Sequence, residues 1–332
     1  MSDNERAAVQ TPAATEAADV ELYRRMVLIR RFEDSVQSLF QKGFVHGTTH
    51  LYSGQEANAV GICSQLQEGD RVAGTYRGHG HALAMGVDPQ GLLDELLGRA
   101  TGVCAGRAGS MNVVDLEHGL VGCFGIVGGS IAAATGVALA FQRRETGNVA
   151  VAFFGEGTTN QAYFAECLNF AQVLRLPVVF ACENNRYMEF TPIEDVTAGD
   201  IRPRAEILGL WSRTVDGMDL WAVREAAAEA IAHARSGAGP AFLETQTYRF
   251  VGHSRSDPGA YRKPGELDEM RQRDPLLVAR ARLAEEGAAT EDQLDAVDAE
   301  VEQAMSAIVD RALEAPFPEP DAPASEYKGP RE

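Results

Sequence analysis

The chain has 332 residues, of which 45% are hydrophobic and 23% are charged, as is typical of a globular protein with one large or two ordinary domains. Its formal net charge of −18 at pH 7 argues against binding to nucleic acid or to anionic membrane surfaces. No apolar run approaches the roughly 18 residues of a membrane-spanning helix, and the N-terminus lacks the apolar core of a signal peptide. We therefore expect a cytoplasmic protein.

The N-terminal part of the chain is predicted to be helical after a short leader. Residues 1–16 are polar and rich in alanine, and we expect them to be disordered. Apolar residues then recur at a helical spacing over residues 20–41, which predicts a long helix. The next predicted elements are a helix, a strand, two glycine-rich loops and a helix of small residues, at residues 54–66, 71–75, 101–112, 119–129 and 130–143.

A strand–helix–strand unit in the middle of the chain gives the clearest pattern. Residues 148–154 and 176–182 are continuous apolar runs, and residues 158–174 between them are predicted to be helical. Buried parallel strands have such runs, and a further helix and strand are expected at residues 220–236 and 241–247. This alternation predicts a doubly wound α/β fold, with a mostly parallel sheet and helices on both faces.

The C-terminal part is predicted to lie outside the sheet. Two helices are expected at residues 275–285 and 291–314. Residues 316–332 contain several prolines, so we expect an extended tail. Residues 17–315 are accordingly expected to form one α/β domain with helical extensions at both ends.

The cysteines give no sign of a metal or redox motif. None of them forms a CxxC pair, and all lie in apolar or glycine-rich surroundings. They are Cys63, Cys104, Cys123, Cys167 and Cys182. We expect buried, reduced thiols in preference to a zinc site or a catalytic cysteine.

Two polar residues just past the central strands predict a magnesium–diphosphate site. Glu156 follows the first strand, between Gly155 and Gly157, and Asn185 follows the second. Ligands of an open parallel sheet bind beyond the carboxyl ends of its strands, where a helix beginning near Thr158 would direct its N-terminal amides at an anion. Carboxylate and amide oxygens suit Mg²⁺, which usually keeps phosphate oxygens as further ligands. The absence of GxxxxGK[ST] and of GxGxxG after a strand argues against a nucleotidase and a nicotinamide dehydrogenase.

The segment from Gly155-Glu156-Gly157 to Asn184-Asn185 resembles the thiamine diphosphate motif. Further motifs resemble the alpha subunit of pyruvate dehydrogenase, namely His50-Leu51-Tyr52, Gly54-Gln55-Glu56-Ala57, Tyr76-Arg77-Gly78-His79-Gly80, Gly109-Ser110-Met111, Gly125-Ile126-Val127-Gly128 and Gly252-His253-Ser254-Arg255-Ser256-Asp257-Pro258-Gly259. The resemblance extends over residues 20–315. It implies the diphosphate-binding half of a thiamine diphosphate-binding fold, with thiamine diphosphate and Mg²⁺ as cofactors.

The resemblance also implies how the metal and the cofactor ring are held. Glu156 and Asn185 would bind Mg²⁺ through their side chains, and Tyr187 would bind it through its backbone carbonyl. Gly125 and Val127 would meet the aminopyrimidine ring of the cofactor through the backbone.

A further set of residues is implied for the diphosphate. Gly157 and Thr158 would contact it through the backbone. Arg77 and Arg249 would neutralise it, because guanidinium groups form paired, charge-assisted hydrogen bonds with phosphate oxygens. His253 would also form a hydrogen bond with it.

The implied catalytic residues are histidines. His50 would face the substrate near the reactive carbon of the cofactor, and Tyr76 would line the cofactor. His50 and His253 are therefore the candidate catalytic residues, since an imidazole can donate a hydrogen bond to a substrate oxygen near neutral pH. Glu156 stands where the family usually has aspartate, and weaker magnesium binding is one expected consequence.

The resemblance implies partners as well. A glutamate of a separate beta subunit would complete the site, so we expect an α₂β₂ heterotetramer that passes an acyl group to a lipoyl-bearing acyltransferase core. The substrate would be a small 2-oxo acid or acetoin. Residues 188–192 resemble acetoin-type relatives, whereas Glu183 argues against a branched-chain 2-oxo acid dehydrogenase. The pattern is also compatible with a thiamine-dependent carboligase and with a non-catalytic scaffold subunit.

Overall fold

A six-stranded parallel sheet forms the centre of the protein. The structure, a computed structural model, describes residues 12–319, with side chains described from residue 17. In chain order the strands are β1 (Arg71–Thr75), β2 (Leu120–Phe124), β3 (Ala150–Gly155), β4 (Val178–Asn184), β5 (Tyr187–Met188), β6 (Thr191–Pro192), β7 (Trp211–Asp216) and β8 (Ala241–Gln246). The sheet has the order β2-β1-β3-β4-β8-β7, while β5 and β6 form a separate antiparallel pair.

Helices surround this sheet. They are α1 (Pro12–Gln41), α2 (Glu56–Cys63), α3 (His79–Ala84), α4 (Pro89–Leu96), α5 (Gly129–Arg144), α6 (Ala162–Leu174), α7 (Ile193–Val196), α8 (Arg202–Glu206), α9 (Leu220–Arg235), α10 (Glu266–Arg271), α11 (Pro275–Glu285) and α12 (Glu291–Glu314). Among the described helices, none combines the length and the apolar composition needed to cross a bilayer.

The central strands are buried on both faces. Successive side chains of β3 point to opposite sides, so Val151 and Phe153 join a core with α1, α2 and α9, whereas Ala152 and Phe154 join a core with α5 and α6. Helices on both faces of a parallel sheet confirm the predicted doubly wound α/β fold.

The two C-terminal helices have the predicted bounds. Asp274 caps α11, and Thr290 and Gln293 form a capping box at the start of α12. Helix α12 packs along α1, which joins the two helical extensions on one side of the sheet. Residues 316–319 form neither helix nor strand, and the rest of the predicted tail lies outside the described residues.

Two predicted boundaries were wrong. Helix α1 begins at Pro12, so residues 12–16 are helical and do not belong to the predicted leader, whose residues 1–11 lie outside the described part of the chain. The helix expected from Thr158 begins instead at Ala162. A 3₁₀ turn, Glu156–Asn160, separates it from β3, because Gln161 has an extended backbone that interrupts the helical path.

Sequence reasoning also missed two strands of the six-stranded sheet, besides the short pair β5 and β6. Strand β2 lies inside the predicted loop 119–129, where Gly122 interrupts the apolar pattern. Strand β7 is an edge strand with only partly buried side chains, so it lacks the apolar run of a central strand.

A buried ion-pair network joins the N-terminal extension to the domain. The guanidinium of Arg30 donates to both oxygens of Glu56, at 2.6 and 3.1 Å, and to both oxygens of Asp274, at 2.8 and 3.0 Å. Glu56 is fully buried, and burial raises its pKa although the charge of Arg30 opposes the shift. The network therefore links α1, the start of α2 and the cap of α11.

Replacing Arg30 should destabilise the domain strongly. Arg30→Met leaves the buried carboxylate of Glu56 without its cation, which should lower the free energy of unfolding by about 3–5 kcal/mol. Urea denaturation monitored by circular dichroism would measure the loss. Arg24→Met is the matched control, since Arg24 pairs with the solvent-exposed Glu300 and should cost less than about 1 kcal/mol. Equal losses in the two variants would contradict the structural role of the network.

Candidate active site

A cavity of about 360 Å³ opens at the carboxyl ends of the strands. All of the site residues that the sequence predicts line this cavity. They are His50, Tyr76, Arg77, Gly125, Val127, Glu156, Gly157, Thr158, Asn185, Tyr187, Arg249 and His253. The fold thus brings together residues from β1, β3, β4 and the segment after β8, as expected for a ligand site of an open parallel sheet.

The hard oxygen donors of the cavity come from neighbouring strands. Gly155 at the end of β3 lies opposite Glu183 of β4, so that Glu156 and Asn185 emerge side by side. The backbone N–H of Asn185 donates to Oε2 of Glu156 at 3.1 Å. The N–H of Tyr187 donates to Oδ1 of Asn185 at 3.3 Å. Carboxylate, amide and carbonyl oxygens placed together in this way suit a hard divalent cation.

A close backbone approach is built into the turn after β3. A Cβ atom added at Gly157 would lie 2.8 Å from Cγ of Met188, so any larger residue there would require Met188 to move. Thr159 donates from its hydroxyl to the carbonyl of Glu156 at 2.7 Å, which holds the 3₁₀ turn in place. Because α6 begins only at Ala162, the amides closest to β3 belong to this turn and not to the helix.

Two guanidinium groups in the cavity wall have no acidic partner. Arg77 and Arg249 are buried, and within residues 12–319 neither is paired with a carboxylate. Arg77 donates to the carbonyls of Leu51 and His253, and Arg249 donates to that of Glu189. Burial and the charge of Arg249 lower the pKa of Arg77 to about 10. Carbonyl groups orient these cations without neutralising them, so the cavity is suited to an anion.

Three aromatic rings form one wall of the cavity. The ring centroids of His50 and Tyr76 are 4.5 Å apart, and those of His50 and His253 are 4.9 Å apart. Burial and the charge of Arg77 lower the pKa of His50 to about 3 and that of His253 to about 4. Both imidazoles are therefore neutral near pH 7, and Nδ1 of each is buried without a partner in the described structure.

Burial also changes the acidity of Glu156. It raises the pKa of this carboxyl group to about 7, although backbone hydrogen bonds and the charges of Arg249 and Arg77 oppose the shift. A buried carboxylate is stabilised by a nearby cation, so the raised pKa is consistent with a carboxylate that serves as a metal ligand.

The mouth of the cavity is apolar. Ile126 is 74% exposed and Val127 is 41% exposed, in the loop between β2 and α5. Tyr163 donates a hydrogen bond from its hydroxyl to the carbonyl of Val127. The loop therefore exposes apolar side chains at the mouth of the cavity, and the bond from Tyr163 holds its backbone in place.

Sequence reasoning gave no role to two buried polar residues that line the cavity, Gln55 and Glu183. Gln55 lies within the Gly54–Ala57 motif, and Glu183 lies near the end of β4. Glu183 accepts hydrogen bonds from the hydroxyl of Tyr52 and from Nε2 of His81, the latter at 3.2 Å. For Glu183, its place two residues before the predicted ligand Asn185 was the signal that could have identified it. For Gln55, the signal was its place inside a motif of the family.

The cysteines lie apart from the cavity. All five are free, and Cys63, Cys123 and Cys182 are buried as predicted, whereas Cys104 and Cys167 are only partly buried, so the prediction was wrong for these two. Burial raises the pKa of each of these three thiols. No three His, Cys, Asp or Glu side chains are grouped as metal ligands in the described part of the chain.

Comparison with known proteins places these features in one family. A model of the family "dehydrogenase E1 component" matches residues 24–321. The chain is 42% identical over 306 residues to the alpha subunit of acetoin:2,6-dichlorophenolindophenol oxidoreductase from Bacillus subtilis, covering 92% of this chain and 91% of the relative. It is 44% identical over 303 residues to the pyruvate dehydrogenase E1 component subunit alpha of Rhizobium meliloti, covering 91% and 87%. An acetoin:2,6-dichlorophenolindophenol oxidoreductase alpha subunit of Cupriavidus necator is 43% identical over 302 residues, which cover 90% of this chain and 91% of the relative.

The low pKa of His50 predicts that the chain loses stability in acid. Below pH 6.5 the unfolded chain binds a proton at His50 that the folded chain, with a pKa of about 3, does not bind. Stability is therefore full above pH 6.5 and falls as the pH decreases, by about 2 kcal/mol between pH 7 and pH 5 from this residue. Urea denaturation of His50→Gln should show a smaller loss than wild type by about that amount. His46→Gln, at an exposed histidine, is the matched control. Equal pH dependence in wild type and His50→Gln would contradict the prediction.

Proposed function

The chain belongs to the dehydrogenase E1 component family, and from that premise we propose that it is the alpha subunit of a thiamine-diphosphate-dependent 2-oxo acid dehydrogenase. In this proposal it decarboxylates pyruvate or cleaves acetoin together with a beta subunit. The acyl group passes to a lipoyl-bearing acyltransferase. The relatives named for pyruvate and for acetoin are almost equally similar to this chain, so both substrates are retained.

One observation carries the proposal. Two buried guanidinium groups without acidic partners, Arg77 and Arg249, lie in the same cavity as the oxygen donors of Glu156 and Asn185. Unpaired buried cations are costly unless an anion joins them, and hard oxygen donors require a cation. A magnesium diphosphate supplies both charges at once. The residues of this chain therefore fit thiamine diphosphate with Mg²⁺.

Each group of residues has a distinct task in this proposal. Glu156, Asn185 and the carbonyl of Tyr187 bind Mg²⁺. Gly157 and Thr158, which line the same cavity, meet the diphosphate through their backbone. When bound, thiamine diphosphate supplies the electron sink that decarboxylation needs.

The remaining tasks fall to the three aromatic rings that form one wall of the cavity. His50 and His253 are neutral and can donate hydrogen bonds to substrate or cofactor oxygens without adding charge. Tyr76 packs against both rings and limits their movement. The backbone of Gly125 and Val127 meets the aminopyrimidine ring.

The exposed apolar mouth supports a beta subunit as partner. Ile126, Val127 and Phe190 are each at least 40% exposed beside the cavity, and apolar side chains gathered at the rim of a site are typical of a protein interface. We infer that the beta subunit covers this rim in an α₂β₂ heterotetramer. A non-catalytic scaffold would have no need of the paired cation and anion sites.

Activity of the assembled enzyme tests the proposal. The chain would be co-expressed with its beta subunit, and reduction of an artificial electron acceptor would be followed with pyruvate, acetoin and 3-methyl-2-oxobutanoate. We expect turnover that requires both subunits, thiamine diphosphate and Mg²⁺, with 3-methyl-2-oxobutanoate the poorest substrate. Glu156→Ala removes a metal ligand and should lower activity at limiting Mg²⁺ by at least about 100-fold.

The controls separate the competing functions. Glu166→Ala, an exposed residue of α6, removes the same charge outside the cavity and should keep wild-type activity. A complex that binds the cofactor and joins two carbonyl compounds without an acceptor would indicate a carboligase. A stable complex that binds neither Mg²⁺ nor thiamine diphosphate would indicate a scaffold subunit and would contradict the proposal.

A further inference from the structure

A turn with a forced conformation fixes the position of Gln55. Gly54 has a φ of +98°, and a Cβ atom there would lie 2.4 Å from the carbonyl oxygen of Tyr248. Its own carbonyl accepts a hydrogen bond from the hydroxyl of Thr247 at 3.2 Å. Gln55 follows directly as the residue before α2, is 1% exposed, and lines the cavity. The segment after β8 therefore holds Gln55 rigidly against the site.

A directional chain of hydrogen bonds connects Gln55 to the metal ligands. The backbone N–H of Tyr187 donates to Oδ1 of Asn185 at 3.3 Å. Nδ2 of Asn185 donates to Oε1 of Gln55, also at 3.3 Å. A backbone N–H can only donate, so Oδ1 of Asn185 faces Tyr187 and Nδ2 faces Gln55, whose Oε1 accepts from it and holds the Asn185 amide in the same orientation.

The chain of hydrogen bonds ends in an unused donor. Nε2 of Gln55 is buried and has no hydrogen-bond partner among the described residues. Buried polar groups are nearly always paired in folded proteins, so a lone donor in the wall of a ligand cavity indicates a partner supplied by the ligand. Nδ1 of His50 and Nδ1 of His253, two further residues that line the cavity, likewise have no hydrogen-bond partner within residues 12–319.

We propose that Gln55 is a positioning residue that presents the amide oxygen of Asn185 to Mg²⁺, and that Nε2 of Gln55 donates to an oxygen of the bound diphosphate. This inference rests on the proposed function. If the Asn185 amide were reversed, its NH₂ group would face the cation and repel it. Gln55 accepts from that NH₂ group and so keeps the oxygen side available.

Two substitutions at Gln55 separate its two tasks. Gln55→Met removes both the acceptor and the donor. Gln55→Glu keeps an acceptor for Asn185 but cannot donate from an ionised carboxylate, and it brings a negative charge towards the diphosphate. Gln65→Met makes the same change at a half-buried glutamine just after α2, outside the cavity, and is the matched control.

Calorimetric titration of the complex with the beta subunit is the test. Mg²⁺ would be titrated at saturating thiamine diphosphate, and thiamine diphosphate at saturating Mg²⁺. Gln55→Met should weaken Mg²⁺ binding by at least about 10-fold, as loss of a group that orients a metal ligand does. Gln55→Glu should restore Mg²⁺ affinity close to wild type but leave thiamine diphosphate binding weak, and Gln65→Met should match wild type in both.

The contrary outcomes are distinct. Wild-type Mg²⁺ affinity in Gln55→Met, or equally weak Mg²⁺ binding in Gln55→Met and Gln55→Glu, would overturn the assignment of Gln55 alone. If Gln55→Met does not assemble, Gln55→Glu still decides, because unchanged thiamine diphosphate affinity there would overturn the donor contact. A wild-type complex that binds neither ligand would overturn the proposed function and this inference together.

Discussion

The parallel pairing of β3 with β4 is the constraint on which the whole site depends. Six residue pairs are in register along these strands, and the last of them sets Gly155 opposite Glu183. A slip of one residue would exchange the two faces of each strand and would bury the wrong side chains. The packing of Phe153 and Phe154 in opposite cores therefore fixes, at the same time, the place where Glu156 emerges. Core packing and site geometry are specified by the same few residues.

Charge divides the buried arginines of this fold into two kinds. Arg30 has two carboxylate partners, so its charge is satisfied within the protein and serves to join helices. Arg77 and Arg249 are also buried but are met by backbone carbonyls and a phenol. Burial lowers the pKa of the neighbouring His253, the charges of Arg77 and Arg249 lower it further, and these charges leave a positive field in the cavity. An anion that enters this field interacts strongly with the two guanidinium groups, because folding has already desolvated and oriented them.

The sequence predicted much of the fold because its central strands are apolar on both faces and its long helices carry clear caps and a regular apolar spacing. Because strand ends of a parallel sheet meet at one edge, it also predicted that Glu156 and Asn185 would share a cavity, whereas the other residues of the cavity were implied by the family resemblance. It could not predict the 3₁₀ turn after β3, which depends on the extended backbone of Gln161, nor the half-buried edge strand β7. The family motif marks Gln55 in the sequence, but its position in the cavity could not be predicted, for a different reason. It depends on a contact between Gly54 and Tyr248, which lie far apart in the chain, and no local pattern encodes such a contact.

Glu156, where the family usually has aspartate, is the feature that most favours a non-catalytic subunit, and the geometry answers that objection. The longer side chain does not extend freely into the cavity, because Oε2 accepts the backbone N–H of Asn185 and is held back towards β4. The additional methylene is thus accommodated by a hydrogen bond to the neighbouring strand. Burial has raised the pKa of this group to about 7, so a proton competes for it near neutral pH. A divalent ion beside the carboxylate reverses that balance, since it favours the ionised form. Under the proposed function, glutamate at this position therefore still serves as a metal ligand, and its charge depends on the cation beside it.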